Sequence, residues 1–395
     1  MKTIRIYLKG NFQDGYLYGG QLFLIENRGR IISVSLWDAI SKNLKYGTDE
    51  YHFFQFIFSQ NNWLKNESSA RLFKISSFKG NFDKLWKKFS QIEYQFTTDN
   101  LQGLKTLQEL EVAPTLDMKI YGMRMFVGNG NGLYEGGFTL SQTNEVILNE
   151  KIDRVFDASS TNISAKSGSV MISSNSNGLF HGQLFEIGQR LKVKEKAIVD
   201  KSIRSGWSGY DVVNYESQNS FDYLKSEFSK TSERQYLYQD ESDTKKISID
   251  NVGTEIYALD DLLINSKISV DDIVYSFNSS TYAFFFLKDG SLAHLSFRKD
   301  QRDSPVKLSS KSYDVLAPSK KKISSFKPIS TKVIPNGCVI EYFDKVVLVQ
   351  HGKISVIENN PIISFKTYPS SIRYRNVITL FDGEGVAIHS VYPFD

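Results

Sequence analysis

Short runs dominated by β-branched and aromatic residues fold back on one another through glycine-centred turns along the whole chain. Residues Gln21–Glu26 and 30–36 flank Arg28-Gly29, and Tyr282–Leu287 and 291–297 flank Lys288-Asp289-Gly290. Val346–Gln350 and Lys353–Glu358 flank His351-Gly352. Glycine at such a turn takes a positive φ, which lets the paired strands keep their right-handed twist. Hairpins spread this widely predict a mainly all-β protein, a β-propeller of six or seven blades, because a four-stranded blade takes about 40–50 residues. A strand near one terminus, Ile4–Lys9, and one near the other, 386–392, suit a shared closing blade that protects the sheet edges. The chain reads as one domain over residues 1–395. Two β-rich domains divided near residue 115 are the alternative.

The period changes after residue 38. Phe82, Leu85, Trp86, Phe89 and Ile92 recur at helical spacing, with Lys84, Lys87, Lys88 and Gln91 on the other side. Leu101, Leu104, Leu107 and Leu110 predict a second helix, with Asp99 as N-cap and Pro114 as stop. Residues 49–59 fit a buried helix or a strand equally well. The prediction is therefore a helical insertion over residues 38–111. Residues 192–202 read as a strand. Residues 217–246 are polar and poor in aliphatic side chains, which predicts a long surface loop, and 298–328 reads as a loop-heavy connection. Trp37-Asp38 closes the first hairpin where repeats of the WD type carry that dipeptide. It occurs once, with no Gly-His pair ahead of it.

Composition narrows the picture in two places. Cys338 is the only cysteine, so no disulfide can form within the chain, and a zinc site would need histidines and carboxylates. Residues 1–7 interleave charge with apolar positions and read as a strand, not a signal peptide. Together these place the protein in the cytoplasm. No apolar run approaches the ~18–20 residues of a spanning helix, so no membrane partner is expected. The net charge of +4 permits nucleic-acid contact without requiring it.

Motifs for chemistry are sparse, and the expectation leans away from an enzyme. Gly128–Gly132 lacks the Gly-Lys-Ser/Thr that a phosphate loop needs and runs into a strand, so it reads as a hairpin turn. Gly206-Trp207-Ser208-Gly209 is not a nucleophile elbow. His52, His181, His294, His351 and His389 show no zinc-helix spacing, and no metal or cofactor is expected. Neighbouring acids at Asp260-Asp261 and Asp271-Asp272 would point to opposite sides of a strand and read as strand ends or caps. A carbohydrate-active hydrolase or lyase would need carboxylates from separate blades.

Two constellations favour binding instead. Arg204, Trp207 and Tyr210 lie among glycines, a composition suited to a protein contact. Lys320, Lys321 and Lys322, with Arg373 and Arg375 around Tyr374, could contact a nucleic-acid backbone. The leading expectation is a non-enzymatic protein-interaction or recognition module, a scaffold or sensor subunit with a protein partner still to be identified. A nucleic-acid-binding subunit is the alternative, and a carbohydrate-active propeller the third.

Overall fold

A computed structural model describes residues 3–59, 71–98, 104–110, 114–184, 189–230, 247–264, 268–279, 282–297, 327–350 and 353–394. The described strands form seven small sheets, antiparallel but for one added parallel strand, the blades of a seven-bladed β-propeller. Each blade begins with an inner strand. In chain order these are Phe12–Tyr18, Thr115–Tyr121, Asn162–Lys166, Arg204–Ser208, Ile273–Ser279, Ser330–Ile334 and Ser364–Thr367. Each packs beside the next, and the seventh returns to the first, so the ring closes.

Blade 7 is built from both ends of the chain. Its strands Ser364–Thr367, Val377–Phe381 and Gly385–Ser390 are followed by Ile4–Lys9, which runs antiparallel to Gly385–Ser390 from Ile4 opposite Ser390 to Lys9 opposite Gly385. Tyr94–Phe96 then adds a fifth strand, parallel to Ile6–Leu8. In blades 1–6 the second strand turns back from the first, and the sheet grows outward.

Sheets arranged this way are buried on both faces, which explains the strand composition. Val377–Phe381 and Ser169–Ser173 are buried at every position. Such strands need continuous apolar runs rather than a strict two-residue alternation. The core is accordingly divided into clusters between neighbouring blades. Tyr275 and Phe277 of blade 5 meet Cys338, Ile340 and Val347 of blade 6. Ile334 and Val339 of blade 6 meet Phe365, Ile378 and Leu380 of blade 7.

The insertion lies within blade 1, between its third strand, Arg30–Ser35, and its fourth, Lys105–Glu109. It contains the helices α1 (Leu36–Asn43), α2 (Asp49–Phe54) and α3 (Ser76–Phe89), with a π-helical turn at Gln55–Ser59 after α2. The expected face of α3 packs up to Phe89, whereas Ile92 lies beyond the helix end and is exposed. Phe82, Trp86 and Phe89 are buried, and their rings meet Phe53, Tyr392 and Phe394. No described helix is long and apolar enough to cross a membrane.

Four local expectations change. Residues 105–109 are a strand, not a helix, because they pair with Arg30–Ser33. The leucine spacing was helical, but the open sheet edge beside it prevails over local preference. Trp37-Asp38 starts α1 instead of ending a strand: Ser35 Oγ accepts the Asp38 N–H at 3.2 Å, an N-cap. Within the expected polar loop, Phe221–Lys230 is a strand paired with Ile247–Ala258. Residues 192–202 hold only the two-residue strand Lys192–Val193, followed by single bridges at Val199 and Ser202. Residues 231–246, the connection at 298–326, Asp99 and the His351-Gly352 turn lie outside the described residues.

Candidate functional site

The inner strands run in the same direction around the ring, so the turns that follow them gather on one face. Their ends touch in sequence around the ring. Tyr18, last in its strand, accepts a hydrogen bond from the Met123 N–H in the turn of blade 2, at 3.3 Å. Tyr121, last in its strand, accepts from the Gly168 N–H in the turn of blade 3, at 2.9 Å. Lys166, last in the third strand, donates to the Gly209 carbonyl in the turn of blade 4. The same device thus passes from blade to blade.

These turns hold two residues each: Gly19-Gly20, Gly122-Met123, Ser167-Gly168, Gly209-Tyr210 and Pro335-Asn336. In the first three, both residues have positive φ, the geometry of a tight twisted hairpin. Blade 7 departs from this rule. Residues 368–376 form a longer loop pinned by Tyr374, which is buried and accepts the Gly20 N–H at 2.8 Å. Ser371 Oγ accepts from the backbone of Arg373 and Tyr374. Arg373 and Arg375 therefore stand, half-buried, on the turn face beside blade 1.

Beneath this face lies a charged layer that sequence reading missed. Asp14, Asp117 and Lys366 each occupy the third position of an inner strand, in blades 1, 2 and 7. The Lys366 ammonium sits 2.8 Å from Asp14 and 2.5 Å from Asp117. Ser364 donates to Asp14 at 2.7 Å, and the Ile163 N–H of blade 3 donates to Asp117 at 2.8 Å. Burial opposes the charge on Lys366, but the two carboxylates outweigh it and hold its pKa above the ordinary lysine value. Burial likewise opposes the Asp117 charge, and Lys366 and Lys332 outweigh it, holding that carboxyl below its usual range. Lys332 of blade 6 is pulled down to about 8 by burial and by the neighbouring charge of Lys366. The sequence signal is limited to a charged residue at the third position of each of these strands.

Two residues further along, Tyr16, Lys119 and Tyr368 form the next layer. Lys119 donates to the Tyr16 hydroxyl at 2.8 Å, and the rings of Tyr16 and Tyr368 meet edge to face at 5.0 Å. With Leu17, Tyr18 and residues 369–371 they line a cavity of about 50 Å³ at the mouth of the turn face. That volume holds a water or a small ion.

The candidates from sequence distribute unevenly over this framework. Arg204 lies at the start of its inner strand, its guanidinium 3.9 Å from the Tyr215 ring centre and 4.8 Å from that of Tyr275, and donates to the Ser276 carbonyl. Trp207 packs between Met171 and Leu179 of blade 3 and Val212 and Leu224 of blade 4. Tyr210 reaches the turn face. Its ring lies 5.2 Å from that of the exposed Phe228 and 5.3 Å from the Lys166 ammonium. Lys320, Lys321 and Lys322 lie outside the described residues. Asp260 and Asp261 sit in the short helix Leu259–Leu263, and Asp271 and Asp272 in a 3₁₀ turn. The structure brings Tyr210, Arg373 and Arg375 to one face and uses Arg204 and Trp207 in packing below it.

Among the described residues, no three histidine, cysteine or acidic side chains gather in a way that could hold a metal ion. No protein-family model matches the sequence, and no curated protein matches it. Among solved structures, the chain is similar to the extracellular domain of a protein named as a hybrid two-component system from B. thetaiotaomicron. The TM-score is 0.45 and the identity 10%, over 100% of this chain and 40% of that one.

Proposed function

We propose that this chain is a non-enzymatic recognition module, a scaffold or sensor subunit that binds a protein partner through its turn face. The supporting observation is the division of labour between layers. The charged groups beneath the face are engaged with one another, as in Lys366 with Asp14 and Asp117, and they stitch the inner strands together. Tyr210, by contrast, is held at a turn tip between Lys166 and Phe228. A rigid ring carrying aromatic and arginine side chains on short turns is preorganised for contact, since little ordering entropy remains to be lost on binding. Arg204 and Trp207 contribute by fixing the strand that carries Tyr210. Cytoplasmic placement is part of this reading. The single thiol, Cys338, is buried, and its pKa is pushed up to about 12 by that burial.

Nucleic acid is the second reading, favoured by Arg373 and Arg375 standing on the same face as Tyr210. One experiment separates the two. The tagged full-length chain is purified from its own cells with and without nuclease, at two salt concentrations, alongside Tyr210→Ala and Arg373→Glu/Arg375→Glu. A stoichiometric protein that survives nuclease and is lost with Tyr210→Ala supports the first reading. Salt-sensitive nucleic acid lost with the arginine pair supports the second. A lone chain that turns over a small molecule overturns both.

A further inference from the structure

The cavity at the mouth of the turn face has a chemistry of its own, apart from the surface around Tyr210. Its walls come from the inner strands of blades 1 and 2 and from the loop that follows the inner strand of blade 7. Among the described residues that line it, Lys119 is the only charged one, and none is acidic. Tyr16 holds the Lys119 ammonium in two ways: its hydroxyl accepts at 2.8 Å, and its ring centre lies 5.1 Å away. Tyr16 is braced in turn by the edge-to-face ring of Tyr368. The Tyr368 hydroxyl accepts the Leu17 N–H at 3.2 Å and lies 2.8 Å from the Thr379 hydroxyl. Pro369 and Ser370 are the middle residues of a turn closed by the Ser371 N–H on the Tyr368 carbonyl at 3.0 Å, with Ser370 exposed and Ser371 buried. One layer below, Lys366 engages both Asp14 and Asp117, which keeps those carboxylates in their own layer.

We propose that this cavity binds one carboxylate group. Size and charge together select that class. A cavity of about 50 Å³ is far smaller than the about 300–1,000 Å³ that encloses a whole small molecule, so it takes a single group and leaves the rest of the carrier outside. A second cation would be repelled by Lys119. A neutral group would forgo the attraction of an ammonium set among aromatic rings, where water screens charge less. An ammonium carries three donors, and the hydrogen bond it gives Tyr16 polarises that phenol into a stronger donor. These donors match the several acceptor sites of a carboxylate. A phosphate group carries about two negative charges at neutral pH, more than one ammonium balances, and no arginine lines the cavity to supply the second.

The test follows the NMR signal of ¹³C-labelled acetate, which broadens as the anion exchanges with a site on the isolated full-length chain. Broadening is expected, and sodium chloride at matched ionic strength should not abolish it. Tyr16→Phe should weaken acetate about fivefold, and Lys119→Met on the order of tenfold or more. Tyr16→Phe keeps the ring against Tyr368, so its effect reports the hydroxyl and not the fold. Trialanine and trialanine amide identify the carrier. Displacement of acetate by trialanine but not by the amide assigns a peptide terminus, and displacement by neither assigns small free acids; both outcomes support a carboxylate site. No broadening, broadening that persists in folded Lys119→Met, or displacement by inorganic phosphate at concentrations equal to acetate overturns the proposal. Because acetate is measured on the isolated chain, the result is independent of whether the tagged chain retains a protein partner.

Discussion

A single lysine connects three blades. Lys366 is buried between Asp14 and Asp117, and the stability it confers depends on all three charges being present together. Replacing one member of a buried ionic group leaves an uncompensated charge and typically costs about 3–5 kcal/mol. Lys366→Met is therefore expected to lose that much in urea unfolding, and Lys366→Met/Asp14→Asn/Asp117→Asn should recover a large part of it. Two buried histidines contribute to the response to acid. Burial lowers His181 from 6.5 to about 4, with the Lys194 charge adding to it, and burial lowers His389 to about 3, with Arg5 adding to it. Both are neutral in the fold at pH 7. At these two positions the unfolded chain takes up protons below about pH 6.5 that the folded chain refuses, so their contribution to stability falls as the pH drops. Glu341, raised to about 7 by burial, and Asp222, raised to about 6 by burial and the nearby Glu216, act in the opposite direction. The slope is about 1.4 kcal/mol per pH unit for each histidine until the folded values are reached. The histidine contribution is read as a difference: from about pH 6.5 to 4.5 the stability of His389→Gln should fall less, or rise more, than that of the wild type, and Glu341→Gln should shift the slope the other way, both followed by melting temperature.

The informative element is the two-residue turn. Gly209 has a φ of 63°, and a β-carbon built there would meet nothing within 4 Å. The cost of Gly209→Val is then the backbone cost alone, about 1–2 kcal/mol. Gly178 has a φ of 104°, and a β-carbon there would lie 2.1 Å from the Val199 carbonyl oxygen. Gly178→Val should be the more damaging by a clear margin, measured as the shift in denaturation midpoint. Turn chemistry of this kind was readable from the sequence where glycine marked it, as at Gly29. It was harder to read at Met123 and Ser167, which adopt positive φ without being glycine. Their turns are held by the preceding blade, through hydrogen bonds donated to Tyr18 and Tyr121 by the turns that contain them.

For the molecule as a whole, closure is the critical feature. Ile4, Ile6 and Leu8 are buried, and their strand covers what would otherwise be the open edge of Gly385–Ser390. A chain lacking residues 1–9 would expose that edge, together with Tyr94–Phe96 on its far side. Open strand edges pair with other chains. The truncated protein is expected to elute from size exclusion as aggregate at concentrations where the intact chain does not.

Local pattern determined the strands, the glycine turns, the amphipathic α3 and the pairing of the two chain ends, because each of these is written in the spacing of apolar residues or in a residue's own φ preference. It also named Tyr210, Arg373 and Arg375, though not their position on a common face. Tertiary structure alone decided the rest. The number of blades follows from how many inner strands close a ring. The strand at Lys105–Glu109 exists because an edge was available to receive it. The group formed by Asp14, Asp117 and Lys366 joins positions hundreds of residues apart, at one level of the ring. No local spacing can encode that proximity, since it arises only when the seventh blade returns to the first.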